Sequence, residues 1–486
     1  MVGQDVRVPD MPSIVELLER LAVVESAVVS LEKTVAARDA RIEVLEAENA
    51  ELRRRLGQTP KNSNMPPSAQ GLDRPAPKSL RGRSGRRSGG QDGHPGRTLR
   101  QVDDPDEMVC HEPVACVGCG SGLTDAPVAA VTRRQVFEIP QTAARVTEHR
   151  LIARRCSCTM VTCADAPCGV DAPVQYGPRL AAIVVYLLVA QFGAQKRVAR
   201  TVADLFGVPI SQGSVAALTA RAARRLEGDF LATVRTGLAA AEVVNFDETG
   251  FRVAGRLHWV HSASSGKYSL LYVHPKRGRD AIDAGGILPV FTGIAVHDAW
   301  APYDCYPQAT HALCCAHLLR ELIAAGELDP SATWATQGID ALLNLKTAAD
   351  AAVAAGLDHI EPVALADGIA SFRHAALVGV KDHTGQTTPI GKKLAALARR
   401  MRERIDDYLR FAHDIRRCPF DNNAAEREVR MVKTRQKISG AMRTLTGAEH
   451  FCHLRSYLAT ATKHGLNLYD ALVQLTSGRP WIPVIN

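Results

Sequence analysis

The stretch that most restricts the folds open to this chain is Glu242-Val243-Val244-Asn245-Phe246-Asp247-Glu248-Thr249-Gly250. β-Branched and aromatic residues closed by two carboxylates and a glycine read as a short buried strand that ends at a turn. A strand that delivers a carboxylate to its tip holds the acid still while leaving it open to solvent, as a metal ligand requires. Acidic residues also favour strand ends on their own account, so Asp247 needs partners elsewhere in the chain before it means more.

Those partners come in order. Phe251 to His261 and Tyr268 to His274 read as two strands joined at Ser264-Ser265-Gly266, followed by a crossover through Asp280 to Gly286 and a strand from Val290 to Asp298. Three meandering strands, a crossover and a fourth strand ending in an acid is the order expected of a ribonuclease-H-like sheet, in which the first and fourth strands are neighbours. Asp247 and Asp298 then stand side by side, and two bare carboxylates a few ångströms apart are relieved by a divalent cation. His311 to Cys315 reads as a fifth strand passing into a helix near His317, and the Ala- and Leu-rich residues 330–416 as a helical insertion. In Asp421-Asn422-Asn423-Ala424-Ala425-Glu426-Arg427-Glu428-Val429-Arg430, Asp421 or Asn423 can cap a helix that carries Glu426, with Arg430, Lys433 and Lys437 along nearly one face. Such a helix offers a carboxylate to a metal and cations to phosphates, although ordinary i,i+4 ion pairs on a surface helix give the same pattern.

The N-terminal part has a different character. Ile14, Leu21, Val28, Val35, Ile42, Asn49 and Leu56 form one series at steps of seven, and Leu17, Val24, Leu31, Arg38, Leu45 and Leu52 the other. Two interleaved apolar series over six heptads predict a parallel two-stranded coiled coil, hence a homo-oligomer, with Asn49 fixing the register. A Pro-, Gly-, Ser- and Arg-rich tether follows, with nine Lys or Arg against two Asp between Lys61 and Arg100; Arg86 and Arg87 lie in its densest run. A second basic run, six Lys or Arg against one Glu from Arg427 to Arg443, makes a polyanion the expected partner. Cys116-Val117-Gly118-Cys119 and Cys156-Ser157-Cys158 suggest a zinc-ribbon-like module with a structural Zn²⁺ on Cys116, Cys119, Cys156 and Cys158, Cys163 or Cys168 being alternatives for the last position. Val198 to Ser211 leading into Ser214 to Leu226 reads as a helix-turn-helix, with Gly207 opening the turn. No N-terminal segment has a signal-peptide layout, and the longest apolar run, Leu180 to Ala190, is too short to cross a bilayer. The expectation is a cytoplasmic, nucleoid-associated protein with no membrane partner.

The order of these motifs resembles the DDE transposases of insertion-sequence family 66, specifically their large subunit. The resemblance is carried by Lys61-Asn62-Ser63-Asn64-Met65-Pro66-Pro67-Ser68, Gly93-His94-Pro95-Gly96, the cysteine knuckles, Asp247-Glu248-Thr249, Val296-His297-Asp298-Ala299-Trp300, Cys314-Cys315-Ala316-His317 and Asp421-Asn422-Asn423-Ala424-Ala425-Glu426-Arg427. It implies that Asp247, Asp298 and Glu426 are catalytic and bind two Mg²⁺ (or Mn²⁺), and that accessory proteins of the same element can act beside this chain. The Cys-x-Cys pair departs from the commoner Cys-x-x-Cys. The expected activity is metal-dependent cleavage at element ends and transfer of the freed 3′-hydroxyl into double-stranded target DNA. The alternatives are a non-catalytic zinc-containing dimeric regulator and a ribonuclease-H-like nuclease that only hydrolyses.

The fold class expected is therefore multidomain α+β. Its units are a coiled coil (1–57), a flexible basic linker (58–107), a zinc-binding module (108–177), a helix-turn-helix-like helical domain (178–240), the first part of a ribonuclease-H-like core (241–329), a helical insertion (330–417), the glutamate helix with a basic extension (418–446) and a C-terminal helical tail (447–486). Arg427, Arg430, Lys433, Lys437, Arg86 and Arg87 are the expected DNA contacts.

Overall fold

The computed structural model describes residues 14–56, 99–139 and 143–485. The first helix, α1 (Ile14–Leu56), is 43 residues long, or about 65 Å at 1.5 Å per residue. Its heptad residues Leu21, Val24, Val28, Leu31, Val35, Ile42, Leu45 and Leu52 are all exposed, so nothing among the described residues covers the apolar stripe. Most of the expected linker, with Arg86, Arg87 and the Gly93-His94-Pro95-Gly96 motif, lies outside the described residues. From there to residue 177 the regular structure described is a small antiparallel hairpin, β1 (Ala153–Arg155) with β2 (Val161–Cys163), and a bridge between Ala115 and Gly122. Its residues are almost all exposed.

A helical unit follows. α2 (Pro178–Val185) continues as a π-helical turn to Ala190, then come α3 (Gln195–Phe206) and α4 (Gln212–Arg224). Gly207 closes α3 in the left-handed region at φ 65°, where a side chain would be strained. Ser211 opens α4 by accepting from the Ser214 N–H at 2.9 Å. Val198, Val202, Val215 and Leu218 pack this pair together, while Gln212, Ala217, Arg221 and Arg224 stay exposed along α4. The next helix, α5 (Asp229–Ala239), leads into the sheet.

The sheet consists of β3 (Val243–Val253), β4 (Arg256–Ser264) and β5 (Ser269–His274), then α6 (Arg279–Gly285), β6 (Ile294–His297) and β7 (Thr310–Leu313). Its order is β5-β4-β3-β6-β7, with the first two joins antiparallel and the last two parallel. The strand ends differ from the sequence reading by a few residues, and two of the differences bear on the site. β3 does not end at Gly250: it stays paired with β4 as far as Val253 and turns at Ala254-Gly255, both at positive φ (48° and 79°). Asp247 is thus mid-strand, and solvent reaches it because β6 is too short to accompany β3 beyond Asn245. β6 starts at Ile294 rather than Val290, since Pro289 sits in a 3-10 turn, Leu288–Val290. Gly293 then lets the chain approach β3 closely: a Cβ there would stand 2.6 Å from the Glu242 carbonyl oxygen.

After β7 the chain is helical: α7 (Cys315–Leu328), α8 (Thr333–Ala354), α9 (Pro362–His383), α10 (Pro389–Glu403) and α11 (Ile405–His413). The last four are the expected insertion. Trp334, Leu342, Leu345, Phe372 and Met401 form its core, which runs on into Val296, Ala312 and Leu313 at the parallel edge of the sheet. α9 has the length and mean hydropathy, 1.3, of a helix able to cross a membrane; here Phe372, Ala375, Ala376 and Gly379 are its buried face, and a Cβ on Gly379 would meet Trp334 and Ala398.

Three helices close the chain, α12 (Asn423–Ser439), α13 (Leu445–Lys463) and α14 (Leu468–Thr476). α13 is no peripheral tail. Leu454, Tyr457, Leu458 and Ala461 lie in the main core with Phe230, Leu270 and Leu271. It also covers the sheet edge: Ser456 Oγ accepts from the Leu271 N–H at 2.8 Å and Thr460 Oγ1 from the Ser269 N–H at 3.1 Å. Hydroxyls on a helix thereby occupy the donors that an edge strand would otherwise present for pairing. Ser456→Ala leaves the Leu271 N–H buried without an acceptor, so chemical denaturation is expected to show a loss of about 1–3 kcal/mol; an unchanged midpoint would mean that this donor finds another partner.

Candidate active site

The parallel join of β3 and β6 pairs Asn245 with Val296. Carried two residues further, the same register sets Asp247 level with Asp298. Their electrostatics agree with this placement: burial, then the charges of Glu248, Asp298 and Glu426, hold the Asp247 carboxyl well above the usual carboxylate range. Burial also raises Asp298, against the pull of the Arg277 guanidinium. Glu426 is raised by burial too; Arg320 opposes this, while Asp421 and Asp298 add to it. Three acids from a first strand, a fourth strand and a late helix therefore share one electrostatic environment.

Glu426 reaches that environment because of Asn422. This residue is 1% exposed, and its carboxamide donates to the Phe246 carbonyl at 2.7 Å and accepts from the Asn245 carboxamide at 2.9 Å. Its backbone N–H donates to Cys314 Sγ at 3.2 Å, and its carbonyl accepts from the Glu426 N–H at 3.1 Å, the first hydrogen bond of α12. Asp421 supports the same end of the helix by accepting from the Asn423 N–H at 3.0 Å. The start of α12 is thus fastened to β3 next to Asp247. Further along, Lys433 Nζ donates to the Gly250 carbonyl at 2.6 Å, on the stretch of β3 that β6 leaves uncovered. That bond places Lys433 against the sheet rather than in solvent, whereas Arg427, Arg430 and Lys437 are exposed.

Glu248, the acid beside Asp247, has a different occupation. Its side chain is 1% exposed, and one oxygen accepts from both Arg277 Nε at 2.8 Å and Arg277 Nη2 at 2.6 Å. Its other oxygen accepts from the Tyr303 hydroxyl at 2.6 Å. Arg277 lies between two indoles, 4.0 Å from the Trp300 ring and 4.9 Å from that of Trp259. A carboxylate held by three donors has little left to offer a metal, which separates Glu248 from Asp247 in a way that the sequence alone does not. Arg277 and Tyr303 are residues that sequence reasoning misses; an isolated Arg in a turn and a Tyr in a 3-10 segment carry no local signal.

Two neighbouring groups include histidines. Cys314 Sγ, a His317 ring nitrogen and a Glu426 oxygen all lie within 4.8 Å of one another. Burial lowers the His317 pKa to about 3, so the 3.7 Å approach of its Nδ1 to Glu426 joins a neutral ring to the acid and is no ion pair. Burial likewise pushes the Cys314 thiol up to about 12, so it is protonated. His297, Asp304 and His311 form a second group. There His297 is fully buried, stacks on Tyr303 and shares a 2.9 Å hydrogen bond with His311, while Asp304 pairs with Arg404 at 2.8 Å. His297 therefore fills the core, and Trp300 serves as a ring face for Arg277.

The four expected zinc ligands occupy two separate knuckles. The Cys116 carbonyl accepts from the Gly120 N–H at 2.8 Å, and that of Cys156 from the Thr159 N–H at 2.9 Å. Hydrogen bonds from Ser121 lower the Cys119 thiol, and those from Cys158 lower Cys156. Among the described residues no three of these cysteines come together.

The chain matches the family described as "Transposase IS66 family" over residues 173–450, a span that holds Asp247, Asp298 and Glu426. A family of unknown function (DUF6444) matches residues 13–100. No curated protein matches the chain. The chain is therefore a transposase by class, a class that implies DNA as partner and a divalent metal as cofactor. Because the match covers more than half of the 486 residues, the chain belongs to the IS66 transposase family.

The donor set suits a divalent cation: the three clustered carboxyls stay raised by burial although Arg277 pulls on Asp298 and Arg320 on Glu426, and among the described residues no Lys or Arg forms an ion pair with them. Their raised values mean that the metal-free fold holds protons more tightly than the unfolded chain. This contribution is greatest below the usual carboxylate range and is lost as pH rises through the raised values. Buried histidines such as His317 and His261, lowered to about 3 and about 4, act in the opposite sense and lose their contribution as pH falls. Asp247→Asn leaves those histidines in place. The metal-free variant is expected to melt above the wild type by a margin that widens as pH rises above the usual carboxylate range, and Mg²⁺ should raise the wild-type Tm more than the variant's. A margin that is flat with pH would remove the acid cluster from the account.

Proposed function

We propose that this chain is a DDE transposase whose ribonuclease-H-like core holds two divalent cations on Asp247, Asp298 and Glu426. The observation that carries the reading is the electrostatic coupling of three carboxyls delivered by β3, β6 and α12. The sheet order, three antiparallel strands followed by two parallel ones, supports the core assignment. When bound, such ions activate an attacking hydroxyl and neutralise charge on the departing oxygen. Recessed, rigidly mounted carboxylates also keep bulk water from screening them, which strengthens their hold on cations.

The reaction consists of two transfers at phosphorus. Water attacks a phosphodiester at the element end, the P–O3′ bond breaks, and the 3′-oxygen leaves with a proton as a hydroxyl. That hydroxyl then attacks a phosphodiester of the target, forming one P–O bond as another breaks, so no outside energy source is needed. Arg427, Arg430 and Lys437, exposed on α12 beyond Glu426, are assigned to flanking phosphates. Lys433 positions β3 from below. The exposed stripe of α4, with Arg221 and Arg224, is the proposed groove-reading face of a helix-turn-helix. The uncovered heptads of α1 are the proposed homo-oligomer contact.

Each of Asp247→Ala, Asp298→Ala and Glu426→Ala is expected to reduce Mg²⁺-dependent nicking and strand transfer by at least about a thousandfold, comparable with loss of a principal electrostatic element. Binding of the same DNA should stay within about twofold. Nicking without joined products would favour a simple nuclease, and binding without nicking a regulator.

Cys116, Cys119, Cys156 and Cys158 are the proposed structural zinc ligands, the metal drawing the two knuckles together. Stoichiometric Zn²⁺ should protect residues 108–177 from proteolysis in the wild type but not in Cys116→Ser or Cys156→Ser. Equal protection in all three proteins would exclude this ligand set.

A further inference from the structure

The helical insertion carries a pocket remote in sequence from the acid cluster. It lies where the end of α9 meets α10, has a volume of about 310 Å³, and has His383, Gln386, Lys392 and Arg399 in its walls. No Asp or Glu lines it. Lys392 and Arg399 are seven residues apart on α10, two turns along one face, and both are exposed. On the same helix Arg400 and Arg402 are paired with Glu321 and Glu403, and neither of those two lines the pocket.

His383 gives the pocket its chemical sense. It is 5% exposed, and the indole N–H of Trp334 approaches its Nε2 at 3.1 Å. An indole nitrogen can only donate, so Nε2 must be the acceptor and the ring proton resides on Nδ1. That Nδ1 is buried and has no hydrogen-bond partner among the described residues. A buried donor without an acceptor is costly, so a small turn of the His383 ring that brings Nδ1–H to an acceptor in the pocket is favourable. Two cations line the same pocket, so the acceptor that suits it is an anion. Gly385, Ala395 and Ala396 complete the wall and leave room for a bulky chain to approach.

We propose that this pocket binds a backbone phosphate of double-stranded DNA, with Lys392 and Arg399 as charge partners and the His383 Nδ1–H as the buried donor. The helical insertion thereby becomes a DNA-holding element. The inference uses DNA as the partner of the family but does not depend on the acid triad, which is tested by cleavage rather than by binding.

The test uses the full chain and a labelled duplex, with fluorescence anisotropy over a NaCl series and no added divalent metal. The Lys392→Gln/Arg399→Gln variant should lower the slope of log affinity against log salt by about 1.8, at about 0.9 for each phosphate charge no longer neutralised. The reduction should be the same for element-end and unrelated sequences. In ¹⁵N-histidine spectra the His383 Nδ1 signal, assigned with His383→Gln, should shift on adding the duplex. An unchanged salt slope overturns the proposal. So does a His383 signal that moves with inorganic phosphate but not with DNA, which would make this a small-anion pocket.

Discussion

The architecture depends on one buried carboxamide. Between Asp298 and Glu426 the chain makes a strand, a long helix and a four-helix insertion before returning to the sheet. A return over such a distance has no local cause, because the entropy of closing the loop must be met by contacts at its end. Asn422 supplies them. Its side chain satisfies a donor and an acceptor on β3, its N–H meets Cys314 at the start of α7, and its carbonyl opens α12. A residue that joins β3 and the start of α7 to the N-terminus of α12 decides where Glu426 stands. Buried polar networks specify geometry when every member is satisfied, and here the donors and acceptors match one for one.

That rigidity works against the charges it assembles. Burial raises Asp247, Asp298 and Glu426 alike, and neighbouring carboxylates add to it at Asp247 and Glu426, so the sheet holds them in an arrangement that disfavours their charged forms. Relaxation is blocked on both sides. β4 pairs with β3 along its whole length past Asp247, and α12 occupies the other side through Lys433. The neighbouring Glu248 shows what the same type of residue does when its charge is met inside the protein: three donors surround it, and it becomes part of the scaffold. Adjacent carboxylates on one strand thus have opposite fates, one answered by Arg277 and Tyr303 and the other without an ion pair among the described residues.

Much of this was legible in the residues. The heptads gave α1, the β-branched runs gave the meander, and 298 minus 247 equals the offset of the Asn245–Val296 pair, so the spacing of the two aspartates already encoded the strand register. Element identity is a local property, read from periodicity and breakers. What stayed hidden was set by partners distant in sequence. Gly250 reads as a turn, yet β4 keeps it in the strand; Pro289 lies in a 3-10 turn that ends at Phe291, and β6 begins only after it. The family motif around Asp421 pointed to Glu426, but the reason lies in Asn422, whose partners are about 177 residues upstream. No pattern within a helix or strand announces Arg277 as the counter-charge of Glu248.

The insertion follows the same logic. Its core is continuous with Val296, Ala312 and Leu313, so it is not a pendant bundle but the packing partner of the two short parallel strands. β6 and β7 have only four residues each, too few to be stable without cover. Helices inserted between β7 and α12 supply that cover, and they do so at the edge where Asp298 leaves β6. Arg400 on α10 pairs with Glu321 on α7 and bears on Asp298 electrostatically, which links the insertion to the acid cluster by charge as well as by packing. An element that must be present for the strand carrying Asp298 to hold its register also extends a basic face away from it. On the proposal made above the insertion has two tasks, fixing the parallel edge from within and offering cations to DNA from without.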